Sequence, residues 1–361
     1  MLVYVSVAIA IILIGVLFYR KEKPSRGMWF LFLVLVVVSG IRGEMSTDHP
    51  EYNNIFQRLA QMDFSEVLSR NFNVETGFVV LSKIISYISR SEVFYATVIA
   101  FLTMGFSFMA YGKRSKIPWL SVLLFFSVGE FFDSFNLIRQ ILAVAICFFA
   151  TKYINKNKKD FFKYMALVLL ASAFHTTAAI VMIPAYFILK TRFTSKSIFV
   201  YAGAGALIYV LFPRVLPIFT KLFPQYNLDI YGNYVDSTAN FNSIIPILGV
   251  TLFVIVSVFI FDVEFDMDNY ENRVAMNGLA LLTMFAPLGL QMAMAARISL
   301  YFRPFIALTA VNVIANFKSS KNKEIVISAV SVVAILFIII VLRESPYNPY
   351  YVHPEVIDFF R

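Results

Sequence analysis

Long apolar stretches recur from one end of this chain to the other, and such a chain needs a solvent for them other than water. They fall at 1–19, 27–41, 93–111, 118–133, 136–154, 161–174, 176–190, 198–212, 243–261, 274–294, 299–316 and 324–342. A helix crossing the hydrocarbon core of a bilayer needs about 20 mostly apolar residues, fewer where its ends lie in a protein-lined cavity. The pattern therefore predicts an all-α, polytopic integral membrane protein of about twelve transmembrane helices. The short stretches 118–133, 161–174 and 176–190 predict helices that stop partway or line an aqueous vestibule. Composition agrees: 59% of residues are hydrophobic and 15% charged, against about 45–50% and about 25% in globular chains. No internal repeat or Gly/Ser linker divides the sequence, so 1–361 is expected to form one membrane-embedded domain.

Basic residues orient such a bundle, because cytoplasmic connections collect Lys and Arg. Arg20, Lys21, Lys23 and Arg26 follow the first stretch, Lys113, Arg114 and Lys116 the third, and Lys152, Lys156, Lys158 and Lys159 the fifth. Lys190, Arg192 and Lys196 follow the seventh, and Lys318, Lys321 and Lys323 precede the last. All five blocks fall on one side if both termini are outside. The outer surface then consists of loops 42–75 and 213–242 and a tail 343–361, with amphipathic helices expected in 42–75. Residues 76–89 are apolar enough to insert, but a full crossing there would put Lys113 to Lys116 outside, so they read as a re-entrant or interfacial helix. Met1 to Tyr19 lacks a basic n-region and a cleavage site, and reads as a retained helix. The net charge of +9 is spent on these blocks and forms no basic stripe interleaved with aromatics, so no nucleic-acid partner is expected. A single cysteine, Cys147, offers neither a disulfide framework nor a cysteine metal cluster.

An ionisable group at membrane depth costs about 2.5–3.5 kcal/mol on insertion scales. Five groups of them at the expected outer mouths therefore ask for a reason. Arg42 ends the second stretch, and Asp48, Tyr52 and Phe56 follow at helical spacing; the plain alternative is a snorkelling arginine and a capping aspartate. Glu75 starts the re-entrant segment, where it could serve only as an N-terminal helix charge. Asn136 reads as an N-cap that puts Arg139 and Gln140 in a first helical turn, with Glu130 and Asp133 as nearby ion-pair partners. His175 lies at the junction of two short stretches, without a second ligand at metal-binding spacing. Arg297 begins another stretch, and Arg303 sits two turns deeper, where snorkelling explains it poorly. Guanidinium forks bind phosphate bidentately and stay charged at any working pH. A cationic vestibule with one or two carboxylates suits a lipid diphosphate better than a proton-coupled solute.

Gly40-Ile-Arg42 with Asp48 and Tyr52 downstream, Glu75-x-Gly77, Asn136-Leu-Ile-Arg-Gln-x-Leu-Ala143, Ala173-Phe-His175-Thr-Thr-Ala and Arg297-Ile-Ser-Leu-Tyr-Phe occur in this order. In these strings and in the closing Tyr347-Asn-Pro-Tyr-Tyr351, the chain resembles the EpsG-type family of exopolysaccharide proteins, which is similar to the Wzy-type bacterial exopolysaccharide, capsule and O-antigen polymerases. The resemblance spans about residues 27 to 316. It implies a polysaccharide polymerase at the outer face of the bacterial cytoplasmic membrane. Such a glycosyltransferase joins oligosaccharide repeat units carried on undecaprenyl diphosphate, donor and acceptor both being lipid-linked. A chain-length regulator and a flippase are the expected protein partners, with no cofactor and no metal. On this reading Arg139 and Arg297 hold the leaving diphosphate, Arg42 steers the second carrier, Glu75 or Asp48 is the general base, and His175 and Gln140 orient oxygens. Tyr52 and Arg303 complete the binding surface. The rival readings are a transporter or flippase of the lipid-linked oligosaccharide, which would carry charges across the whole membrane depth, and a related glycan ligase.

Overall fold

The structure is a computed structural model that describes every residue except 47, 71, 73, 155–156, 223–243, 262, 344 and 360–361. Its helices are α1 Leu2–Arg20, α2 Pro24–Gly40, α3 His49–Gln61, α4 Phe64–Ser69, α5 Thr76–Ile88, α6 Glu92–Arg114, α7 Pro118–Ser127, α8 Glu130–Asn136, α9 Ile138–Ala150, α10 Lys158–Ser172 and α11 Thr177–Leu189. There follow α12 Ser195–Leu222, α13 Ile245–Ile255, α14 Tyr270–Phe285, α15 Ala293–Ser299, α16 Pro304–Ala315, α17 Ser320–Leu342 and α18 Pro354–Phe359. Among the described residues no strand forms; Arg42 and Val352 make an isolated antiparallel bridge.

The chain is a helical membrane protein. Leu13, Trp29, Leu33, Phe199, Val200, Val333 and Ile340 stand exposed on its outer helices, a surface that only lipid would cover without penalty. By contrast, every residue of α7 is buried, as is α16 from Pro304 to Ile314, so these two form the middle of the bundle. A helix apolar on all sides belongs in a protein interior. Around them α1 packs on α2 and α7, α2 on α6, α6 on α9, α9 on α10, α10 on α11, and α14 on α16.

Among the described residues five helices are long and apolar enough to cross a membrane: α1, α6, the Ser195–Pro217 part of α12, Tyr270–Leu290 and α17. A sixth arises if Ala293–Phe302 and Pro304–Ala315, bent by 41°, count as one span. This falls short of the dozen the apolar pattern predicted, because several predicted spans are interrupted. The stretch 118–133 breaks at Gly129, whose φ of +96° is a backbone conformation open to glycine, and Glu130 then starts a new helix. The stretch 299–316 breaks at Arg303, just before Pro304. α5 has 13 residues, a length of about 20 Å against a hydrocarbon core of about 30 Å. Its apolar face rests on α3, α4 and α6, and its buried Lys83 donates to the Leu59 and Met62 carbonyls at 3.0 and 2.6 Å. α3 is amphipathic, burying Tyr52, Ile55, Phe56 and Leu59 and exposing Glu51, Asn54 and Arg58. The loop predicted at 213–242 begins instead as the last turns of α12, and 223–242 lies outside the described residues.

The ends of the helices sort by charge. At one end Arg114 Nη1 donates to Thr151 Oγ1 (2.7 Å), Lys116 Nζ to Asn316 Oδ1 (2.5 Å) and Asn277 Nδ2 to the Thr191 carbonyl (2.8 Å). This gathers the basic blocks that follow α6, α9 and α11 and precede α17. At the other end, Met1 reaches Asn348 (2.5 Å), and the tail doubles back so that Gly43 N–H donates to the Tyr351 carbonyl (2.8 Å).

Candidate active site

At that second end three short helices bring their amino termini together. Glu75 stands at the N-cap position of α5 with extended backbone, Arg139 is the second residue of α9, and His175 lies in the four-residue corner 173–176 between α10 and α11. An arginine in a first helical turn faces the positive end of the peptide dipoles and needs an anion nearby. Glu75 is that anion: its Oε2 is paired with Arg139 Nη1. Its Oε1 accepts from the Thr176 backbone N–H at 3.1 Å, one of the donors an α-helix leaves open at its start. The same oxygen is 3.0 Å from His175 Nδ1, a close contact that is not aligned along the ring N–H. Tyr52 of α3 completes the group by accepting from Arg139 Nε at 3.2 Å. The side chains of Glu75, His175 and Arg139 are 17%, 18% and 22% exposed, so the cluster is sheltered but reachable.

Gly77 makes the approach of α5 to this corner feasible. A β-carbon there would lie 2.5 Å from the carbonyl oxygen of Ala173, two residues before His175. Burial alone would push the Glu75 carboxyl upward; His175 and Arg139 beside it overrule that and hold it down at about 2. The carboxylate is therefore ionised at neutral pH and is a weak base there.

The remaining predicted residues surround this cluster unevenly. Gln140 Nε2 donates to the Arg297 carbonyl at 2.9 Å, which sets α15 against the first turn of α9. The Arg297 side chain is half-buried and makes no hydrogen bond or ion pair among the described residues. Thr177 Oγ1 and Tyr301 Oη, 2.9 Å apart, tie α11 to the Leu300–Phe302 turn that follows α15. Arg303 is paired with Asp133, so its charge is already met. Asp48 sits one turn before Tyr52, its backbone N–H donating to Asn136 Oδ1 at 3.0 Å. Asn136 is thus occupied with α3 and does not cap α9, whose N-cap position falls to Leu137.

Arg42 is on the same end, with contacts of its own. It is 5% exposed, its guanidinium lies 4.6 Å from the Phe135 ring centroid, and it bonds to Ser39. The tail closes over it: His353 N–H donates to the Ile41 carbonyl (2.9 Å), and Tyr350 Oη to that of Val38 (2.8 Å). His49 nearby is driven to about 4 by burial, with Arg42 and His353 adding to the effect, and stays neutral. Sequence reasoning placed Arg42 in the open vestibule and did not foresee the tail as its cover. The contact of His353 Nε2 with Glu92 (3.5 Å), a carboxylate that also takes the Asn53 amide at 2.6 Å, was likewise not foreseen. The aromatic tail motif was visible in the sequence, but nothing local says where it docks.

A model of the EpsG family matches residues 26–352 of the chain. No curated protein and no solved structure matches it.

Proposed function

The chain belongs to the EpsG family, and from that membership together with the Glu75–Arg139–His175 cluster we propose that it is a polysaccharide polymerase of the bacterial cytoplasmic membrane. Its substrates are oligosaccharide repeat units on undecaprenyl diphosphate. The basic helix ends face the cytoplasm, and the cluster and both termini face outward.

The observation that carries this reading is a Glu75 carboxylate that pairs with Arg139 and contacts His175, next to Gln140, which holds the backbone of Arg297, an arginine whose side chain has no partner among the described residues. Arg297, with the unengaged edge of Arg139, binds the diphosphate of the donor; fork-shaped guanidiniums match it geometrically. A hydroxyl on the terminal sugar of the acceptor attacks the anomeric carbon. The new C–O bond forms as the bond to the diphosphate oxygen breaks, and the departing diphosphate keeps the electron pair in the field of the arginines. The hydroxyl proton goes to His175 Nε2. The negative charge of Glu75, 3.0 Å from Nδ1, favours the proton on that nitrogen and leaves the lone pair on the other. The low basicity of Glu75 is the reason the proton is assigned to His175, with Asp48 as the second candidate. Gln140 positions Arg297, and Tyr52 positions Arg139. The charge is carried by arginines, so the scheme calls on no metal.

The decisive assay puts purified protein in proteoliposomes with one defined undecaprenyl-diphosphate-linked repeat unit. A ladder of products that disappears with Arg297→Ala and with His175→Ala is expected. Transbilayer movement without elongation would instead mark a flippase, and a single transfer to a different acceptor would mark a ligase.

A further inference from the structure

The end of the bundle opposite Glu75 carries an open cavity of about 1070 Å³ between α10, α11 and the start of α14. α11, with 13 residues, separates it from His175 by about 20 Å. Among its lining residues, Phe162 and Phe187 are 69% and 55% exposed on the outside of the bundle. Lys158 on α10, Lys190 at the end of α11 and Arg273 on α14 line the same cavity. Lys190 Nζ sits 5.2 Å from the Tyr186 ring and 5.3 Å from that of Phe187, so charge and ring surface adjoin. Asp268 also lines the cavity, but Arg192 already meets its charge at 3.2 Å. Arg273 is half-buried, makes no ion pair among the described residues, and has a buried Nε without a hydrogen-bond partner. A desolvated guanidinium N–H without an acceptor is costly, and an anion seated against it removes the cost.

We propose that this cavity binds the phosphate headgroup of an anionic phospholipid in the leaflet opposite the candidate active site. The phosphate lies against Arg273, Lys190 and Lys158, and the first part of an acyl chain lies over Phe162 and Phe187. A soluble anion would use the cations but gain nothing from the adjoining exposed rings, which open toward the lipid-facing surface of the bundle. A bound lipid would tie α10 and α11 to α14 at the end remote from His175. The proposal does not depend on the sugar-transfer reading.

The test uses the full-length chain, delipidated in detergent and titrated with phosphatidylglycerol and with phosphatidylcholine under native mass spectrometry. Phosphatidylglycerol is expected to bind more tightly, and Arg273→Gln and Lys190→Gln should each weaken it by about fivefold, the worth of one basic residue at an anionic lipid surface. A photoactivatable phosphatidylglycerol on the unmutated protein should label residues within 158–162 or 186–190, a readout that does not depend on how the variants fold. Equal affinity for the two lipids, labelling elsewhere, or displacement of the lipid by millimolar inorganic phosphate would each overturn the proposal, the last by marking a site for a free anion.

Discussion

Replacing Glu75 by Gln should loosen the junction of α5, α9 and α11, and the structure sets the size of the effect. The carboxyl falls from an ordinary 4.5 to about 2 on folding, which corresponds to roughly 3 kcal/mol of preference for the ionised, partnered form. Because His175 and the Thr176 N–H share the carboxylate with Arg139, the Arg139 share should be smaller. A double-mutant cycle of Glu75→Gln with Arg139→Gln should then give a coupling of about 1–2 kcal/mol. The sign with pH follows from the direction of the shift: a depressed carboxyl adds stability that is full above 4.5 and is lost as pH falls toward 2. Unfolding in mixed detergent micelles, followed by circular dichroism, should show a gap between wild type and Glu75→Gln that narrows as pH falls through that window. Additivity of the two substitutions within about 0.3 kcal/mol, or a gap indifferent to pH, would refute the argument that Glu75 is the anion holding this junction together.

Three further outcomes are expected. Gly77→Ala should cost about 1–3 kcal/mol by overpacking and should depress polymer formation, since its new methyl meets the Ala173 backbone beside His175; a neutral effect on thermal unfolding would show that the corner yields. Arg297→Ala should leave unfolding unchanged, because its side chain makes no bond among the described residues, yet should slow elongation by about 10²–10³-fold if it stabilises the leaving diphosphate. Arg303→Met should destabilise at the low end of about 3–5 kcal/mol by stranding Asp133, and Asp133→Leu in the same chain should recover most of the loss.

What the sequence determined by itself is what depends on neighbours along the chain. Apolar runs fix a helical membrane class, because the cost of exposing them to water adds up locally. The apolar run at 76–89 is visible as a helical segment, and α5 covers 13 residues of it. Glu75, Arg139 and His175 also stand out locally, as charges or a histidine at the edge of apolar segments.

The tertiary structure alone decided which of these groups meet. Glu130 and Asp133 were the near partners for Arg139 along the chain, yet the structure pairs Arg139 with Glu75, 64 positions away, and gives Asp133 to Arg303, 170 positions away. Glu75 then reaches Thr176 across 101 positions, and the tail covers Arg42 from the far end of the chain. The number of spans was undecided for a related reason: Gly129 and Arg303 interrupt apolar runs where hydropathy alone sees continuity. Burying a chain segment depends on its own composition, whereas satisfying a charge depends on the geometry of whatever packing carries beside it.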